Sequence, residues 1–209
     1  MRTKSEARRQ AILQAAAEMF QANGFDRTSM SDIRERVGYS KPTLYSYFAS
    51  KEELFFEVVF TATEHEFQET LQALDAALPN ITQALQSFGQ RLLALLYSPQ
   101  VQAVRRMVVA QAGHSGLGRR CYEMGPLRSE AAIAAFLQKA IDQGQLRQAE
   151  PRTAALHLKG LLEAEWIEPF LFDALQTPNK AQIERVVAGA VEVFMAAYGP
   201  FQTPAVKTR

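Results

Sequence analysis

Residues 41 to 51, KPTLYSYFASK, place a cation, three hydroxyls, two phenols and a second cation within about three helical turns. These groups suit contact with a polyanion that also displays hydrogen-bonding edges. Lys41 and Thr43 open the segment; a cation or hydroxyl at such a position can pair with guanine or other base edges. Pro42 offers only apolar contact, such as a thymine methyl, and Ser46 lies on the same side four residues on. Ser29 and Ser31, at the start of the preceding segment, can add backbone N–H and hydroxyl contacts to phosphate. Tyr47 can equally be half-buried core, and Arg8 and Arg9 stand either as phosphate contacts or as a solvated face.

Positioning these groups requires two short helices and a tight turn. Thr28 or Ser29 can cap a helix over about 30–37, and Gly38 supplies the positive-φ residue that ends it. Ser40 caps the next helix, and Pro42 falls in its first turn, where a missing N–H costs nothing. Leu44 and Phe48, at i and i+4, form the buried side. This is a helix-turn-helix over about 29–48, whose second helix enters the major groove of duplex DNA.

The rest of the chain reads as helix. Residues 5–23 carry Ile12, Ala15, Ala16, Met19 and Phe20 on one face and stop at Asn23–Gly24. A long helix over 51–78 is striped by Phe56, Phe60, Phe67, Leu71, Leu74 and Leu78 and broken by Pro79. Further helices are expected over 81–97, 99–112, 118–143, 151–175 and 179–198, with Gly125–Pro126 interrupting the third of these. The tail beyond Gly199 reads as frayed. No useful strand-like alternation and no repeat appear. The fold class is all-α, about nine helices, dividing near residue 50. Residues 1–50 form a three-helix DNA-binding domain and 51–209 a helical body.

Composition agrees with that division. The 209 residues carry a formal charge of +1, yet residues 1–51 balance to +4 and the remainder to −3. The positive end is the one with the helix-turn-helix, as phosphate neutralisation requires. One cysteine, Cys121, permits no internal disulfide, and a reducing compartment fits. The start, MRTKSEARRQ, lacks the apolar stretch of a signal peptide, and no run approaches a membrane span. A cytoplasmic protein with no membrane partner is expected.

GFDRTSM, VGYSKPTLYSYF and SKEELF resemble the tetracycline-repressor (TetR/AcrR) family of bacterial regulators over about residues 8–58. CYEMGP at 121–126 and GQL at 144–146 resemble the AefR-like branch of C-terminal bodies. The resemblance implies that Tyr45, Tyr47 and Lys51 clamp the DNA backbone through phosphate oxygens. It also implies an effector cavity in the body, with Phe60, Phe67, Phe88, Arg91, Leu92, Val108, Tyr122 and Trp166 as candidate lining; aromatics at such spacing also serve as plain core. Two departures occur in the first motif helix, where Arg34 and Val37 replace the small residues usual there. Gln111 and His114 stand where the body often has an acid.

The last two helices are apolar around much of their circumference, more than one protomer can bury. Such excess suits a two-fold homodimer. The functional expectation is a ligand-responsive transcriptional regulator, a repressor released from a near-palindromic double-stranded DNA operator by a small, largely apolar or aromatic effector. The alternative is a helical small-molecule binding protein with a vestigial DNA-binding domain. No catalytic set, metal-ligand set or cofactor motif emerges: His65, His114 and His157 lie on different segments. Cys121 has Arg119 and Arg120 beside it, but a lone thiol supports redox sensing poorly.

Overall fold

The computed structural model describes residues 2–75, 80–111 and 116–200. Leu78, Pro79, Gly113, His114 and the tail from 201 lie outside them. Among the described residues the chain is all-α, in eleven helical segments: α1 (Arg2–Asn23), α2 (Met30–Val37), α3 (Lys41–Tyr47), α4 (Lys51–Asp75), α5 (Ile81–Leu96), α6 (Pro99–Gln111), α7 (Leu117–Met124), α8 (Pro126–Asp142), α9 (Pro151–Glu163), α10 (Ile167–Leu171) and α11 (Lys180–Tyr198). Two of the nine expected helices divide. The first separates into α7 and α8 at Gly125–Pro126. The second, expected over 151–175, turns after Glu163, and Trp166 and Phe170 become buried on either side of the new start.

Local chemistry accounts for the helix ends. Asn80 accepts from the Gln83 amide at 3.3 Å to start α5, and the Glu150 carboxylate accepts from the Arg152 and Thr153 amides to start α9. These bonds hold the Glu150 carboxyl below its ordinary 4.5, the Thr153 bonds first among the causes. Asn179 and Gln182 form a reciprocal capping box at α11.

The helices gather into two compact units, residues 1–65 with 100–118 and residues 66–99 with 119–209. The first holds an apolar cluster of Ile12, Leu13, Ala16, Phe20, Ile33, Leu44, Phe48 and Leu54. The second packs α5, α8, α9 and α11 around Phe88, Leu93, Ile133, Leu158, Leu162, Val187 and Phe194. Gly89 lets α5 approach closely there. A Cβ at that position would stand 2.9 Å from side-chain atoms of both Leu162 and Val187.

Candidate nucleic-acid interface

The turn between α2 and α3 is built from contacts spanning three or four residues. Ser29 accepts from the Asp32 amide at 3.2 Å, and Asp32 accepts from the Ser29 amide at 3.0 Å. The hydroxyl and the amide of Ser29 together hold the Asp32 carboxyl below its ordinary 3.8. Gly38 then adopts φ 71°, the left-handed conformation that costs glycine nothing, and its N–H returns to the Arg34 carbonyl at 3.0 Å. Ser40 caps α3 by accepting from the Thr43 amide at 3.3 Å, with Pro42 in the first turn. Leu44 and Phe48 are fully buried. Burial of each contributes about 1.5–3 kcal/mol, enough to fix which side of this seven-residue helix faces outward.

The outward side carries most of the expected DNA contacts. Ser29, Ser31, Lys41, Pro42, Tyr45 and Ser46 are exposed, Tyr45 at 42%. The Lys41 ammonium lies 5.8 Å from the centre of the Tyr45 ring, one turn away, so the cation and the phenol occupy one patch. Ser46 donates to the Thr43 carbonyl at 2.7 Å. Thr43 is half-buried, its hydroxyl 2.8 Å from that of Ser40. Tyr47 is half-buried against the first apolar cluster.

Lys51 and Arg9 have roles that local spacing does not reveal. The Lys51 ammonium donates to the Phe25 carbonyl at 2.9 Å and sits 4.1 Å from the centre of the Phe25 ring. It thereby ties the start of α4 to the turn after α1. Arg9 pairs with Glu57, whose exposure is 4%, and covers the Phe48 ring at 5.4 Å. A carboxylate that deep requires a cation. The only sequence signal was Glu57 itself, an acid within the apolar run LFFEVVF. Arg8 lies 6.0 Å from the Tyr39 ring. Arg34 reaches out to Glu35 at 3.2 Å.

The candidate effector residues occupy different environments. Phe88, Leu92 and Trp166 belong to the close-packed core of the second unit; Trp166 meets Tyr97 edge-on at 5.0 Å, and the Tyr97 hydroxyl donates to Glu163 at 3.0 Å. Phe67 is half-buried beneath the Arg128 guanidinium, 4.9 Å from its ring. Arg91 and Tyr122 are exposed. Phe60, stacked on Phe56 at 5.9 Å, and the buried Val108 belong to the first unit. Of the eight, only Phe88, Leu92 and Trp166 share one apolar cluster. Among the described residues no group of His, Cys, Asp and Glu is placed to hold a metal ion, and no helix is long and apolar enough to cross a membrane.

Comparison with known proteins agrees with this geometry. Residues 12–58 match the model of bacterial regulatory proteins of the tetR family. Residues 83–200 match that of the AefR-like transcriptional repressor C-terminal domain. The chain is 28% identical over 155 residues to the HTH-type transcriptional regulator YfiR of Bacillus subtilis, covering 70% of this chain and 71% of that protein. A TetR-family transcriptional regulator from Mesorhizobium loti superposes with a TM-score of 0.78 at 34% identity, over 93% of this chain and 98% of the other. The flavonoid-responsive regulator FrrA gives 0.67 at 27%, over 94% and 100%. With a helix-turn-helix whose polar side faces outward and a body matched over more than half the chain, this protein belongs to the TetR family of transcriptional regulators.

Proposed function

We infer that the protein is a ligand-responsive repressor acting as a homodimer on a near-palindromic operator. The observation that carries this reading is the outward patch of α3, where Lys41, Pro42, Tyr45 and Ser46 lie on one exposed side above a buried Leu44–Phe48 pair. Lys41 and Thr43 are the base-reading residues, with Pro42 and Ser46 beside them. Ser29, Ser31, Tyr45, Tyr47 and Lys51 hold the phosphate backbone. Lys51 can do so by leaving the Phe25 carbonyl or through its own backbone N–H at the start of α4. An exposed, capped and preorganised reading helix disfavours a vestigial domain.

Dimerisation is assigned to α9 and α11. Leu156 and Val193 are about half exposed, and Gly160, Ala164, Gly189, Ala196 and Ala197 are exposed beside them, so a second helix pair can approach closely. Two copies then hold their reading helices roughly 34 Å apart, one turn of duplex. The effector is small and aromatic or largely apolar. The likeness to FrrA, a flavonoid-responsive regulator, and the accessible aromatics Phe67 and Tyr122 favour that class. Release runs through α4, whose residues fall in both compact units. A roughly 100-fold preference of effector for the released state supplies about 2.7 kcal/mol.

The test is a salt-dependent gel shift with the gene's own upstream DNA. Wild type binds at low ionic strength, and Lys41→Ala loses about 1–3 kcal/mol of specific affinity. A flavonoid added to the complex releases the DNA. Binding unaltered by K41A removes the assignment of α3 as reading helix, and affinity that rises on flavonoid addition removes the repressor mechanism.

A further inference from the structure

Glu57 lies within LFFEVVF, the apolar run near the start of α4, where Leu54, Phe56 and Val59 are buried. The carboxylate is itself buried, and the Arg9 guanidinium of α1 closes an ion pair with it. The same guanidinium lies 5.4 Å from the centre of the Phe48 ring. Phe48 is the residue on which α3 ends: it is buried, and its N–H returns to the Leu44 carbonyl at 3.2 Å. One cation therefore joins three helices, α1 that carries it, α4 through Glu57, and α3 through its last anchor.

Stability alone gives little reason for this arrangement. Glu57 gives up nearly all its hydration, and two apolar side chains of similar volume in such a place are often as stable as the ion pair or more so. What the pair supplies and apolar contact does not is a single register. Apolar helix faces stay covered when one helix slips by a residue, about 1.5 Å. A buried carboxylate moved by that distance leaves its cation, a penalty that no apolar slip carries. The register passes on to α3, which has seven residues and is anchored by Leu44 and Phe48. Lys41 stands about 10 Å from Phe48 along that helix. A hydrogen bond from Lys41 to a base edge keeps its strength over only about 0.5 Å of separation, so a small error at the anchor is felt there.

We propose that Glu57, acting through Arg9, is a positioning residue for sequence reading by α3. It touches no DNA, and it sets where Lys41 and its neighbours stand against the bases. A carboxylate at 4% exposure has no surface to offer a duplex, and its charge would repel phosphate. Arg9, neutralised by Glu57 and laid over Phe48, serves discrimination between sequences rather than the general attraction of a cation for phosphate. The inference rests on α3 as the reading helix, and it adds to that reading the pair that holds the helix in register.

The test is a gel shift on the full chain with the gene's own upstream DNA and, separately, a scrambled duplex of equal length. It is run over a series of salt concentrations and well below each variant's thermal midpoint. The variants are Arg9→Lys, Glu57→Gln, the double variant Arg9→Met with Glu57→Leu, and Lys41→Ala as the control for the reading helix. In E57Q and in R9M/E57L the preference for upstream over scrambled DNA falls about tenfold or more, while binding to the scrambled duplex is not weakened. R9K keeps the charge and most of the preference. Either E57Q or R9M/E57L decides the matter should the other fail to fold. Preference retained in them, with only the thermal midpoint moved, leaves the pair a structural role and overturns the proposal. Equal losses on both duplexes in R9M/E57L, with a salt slope reduced by about one contact, make Arg9 a phosphate ligand and overturn it too. In both cases a K41A variant that has lost its preference leaves α3 standing as the reading helix. Wild type without preference, or K41A that retains it, overturns that reading and the proposal with it.

Discussion

The outward side of α3 and the outward side of α9/α11 are both open to solvent, yet they are made from opposite materials. On α3 it consists of Lys41, Pro42, Tyr45 and Ser46, around hydroxyls already bonded to the helix's own backbone and cap. On α9/α11 it includes Leu156, Gly160, Ala164, Val193 and Ala197, with His157 and Glu192 as polar neighbours in the chain. A polar face loses little by remaining hydrated, so a short capped helix can wait for its partner. An apolar face of helices this long is stabilised only when a second apolar surface covers it. One surface suits a hydrated polyanion met reversibly; the other suits a permanent match.

The contrast implies that the two regions can be damaged separately. The largest effect is expected from Leu44→Ala, which opens a cavity beneath the reading helix and costs about 2–5 kcal/mol. Operator binding disappears in a gel shift while sedimentation still reports a dimer. Loss of the dimer as well would break the separation. Gly89→Ala does the reverse. Its methyl stands 2.9 Å from Leu162 and Val187, and such overpacking costs about 1–3 kcal/mol. A lowered thermal midpoint with operator affinity retained below it is the expected result.

Smaller changes sharpen the comparison within the head. Ser40→Ala removes the acceptor for the Thr43 amide and costs about 0.5–2 kcal/mol, read by chemical denaturation and by weaker DNA binding; Ser40→Gly recovers most of it. The smallest expected effect concerns acid. Because folding depresses the Asp32 carboxyl below 3.8, its contribution is present above that pH and fades as pH falls through the lower folded value. Asp32→Asn flattens that acid limb of the stability profile. A limb unchanged in D32N assigns it to another of the carboxylates held low, such as Glu150 or Glu165.

How far each feature could be read depended on the distance over which it is decided. Gly38, Ser40 and Pro42 act on amides within four residues, so the turn was legible from letter order alone. The division of the 151–175 helix was not. Its apolar spacing continues through Trp166, and the turn arises because Trp166 and Phe170 are both drawn against Tyr97, about seventy residues away in the chain. Arg9 with Glu57, and Lys51 with Phe25, are likewise partners across 48 and 26 residues. A cation in a string of letters does not show whether it will face phosphate, a buried acid or an aromatic ring.

The sequence by itself determined that the chain is helical, where α1 ends and where α2 and α3 begin and end, and that a cation, hydroxyls and phenols share one side of a short helix. Periodicity, caps and glycine conformations are properties of neighbouring residues and survive any tertiary arrangement. Only the tertiary structure decided that Arg9 and Lys51 brace the head, that Phe88, Leu92 and Trp166 are close-packed core, and that Phe172 projects from the turn after α10. Those outcomes depend on which distant surfaces exclude water from each other, and that is settled when the helices pack.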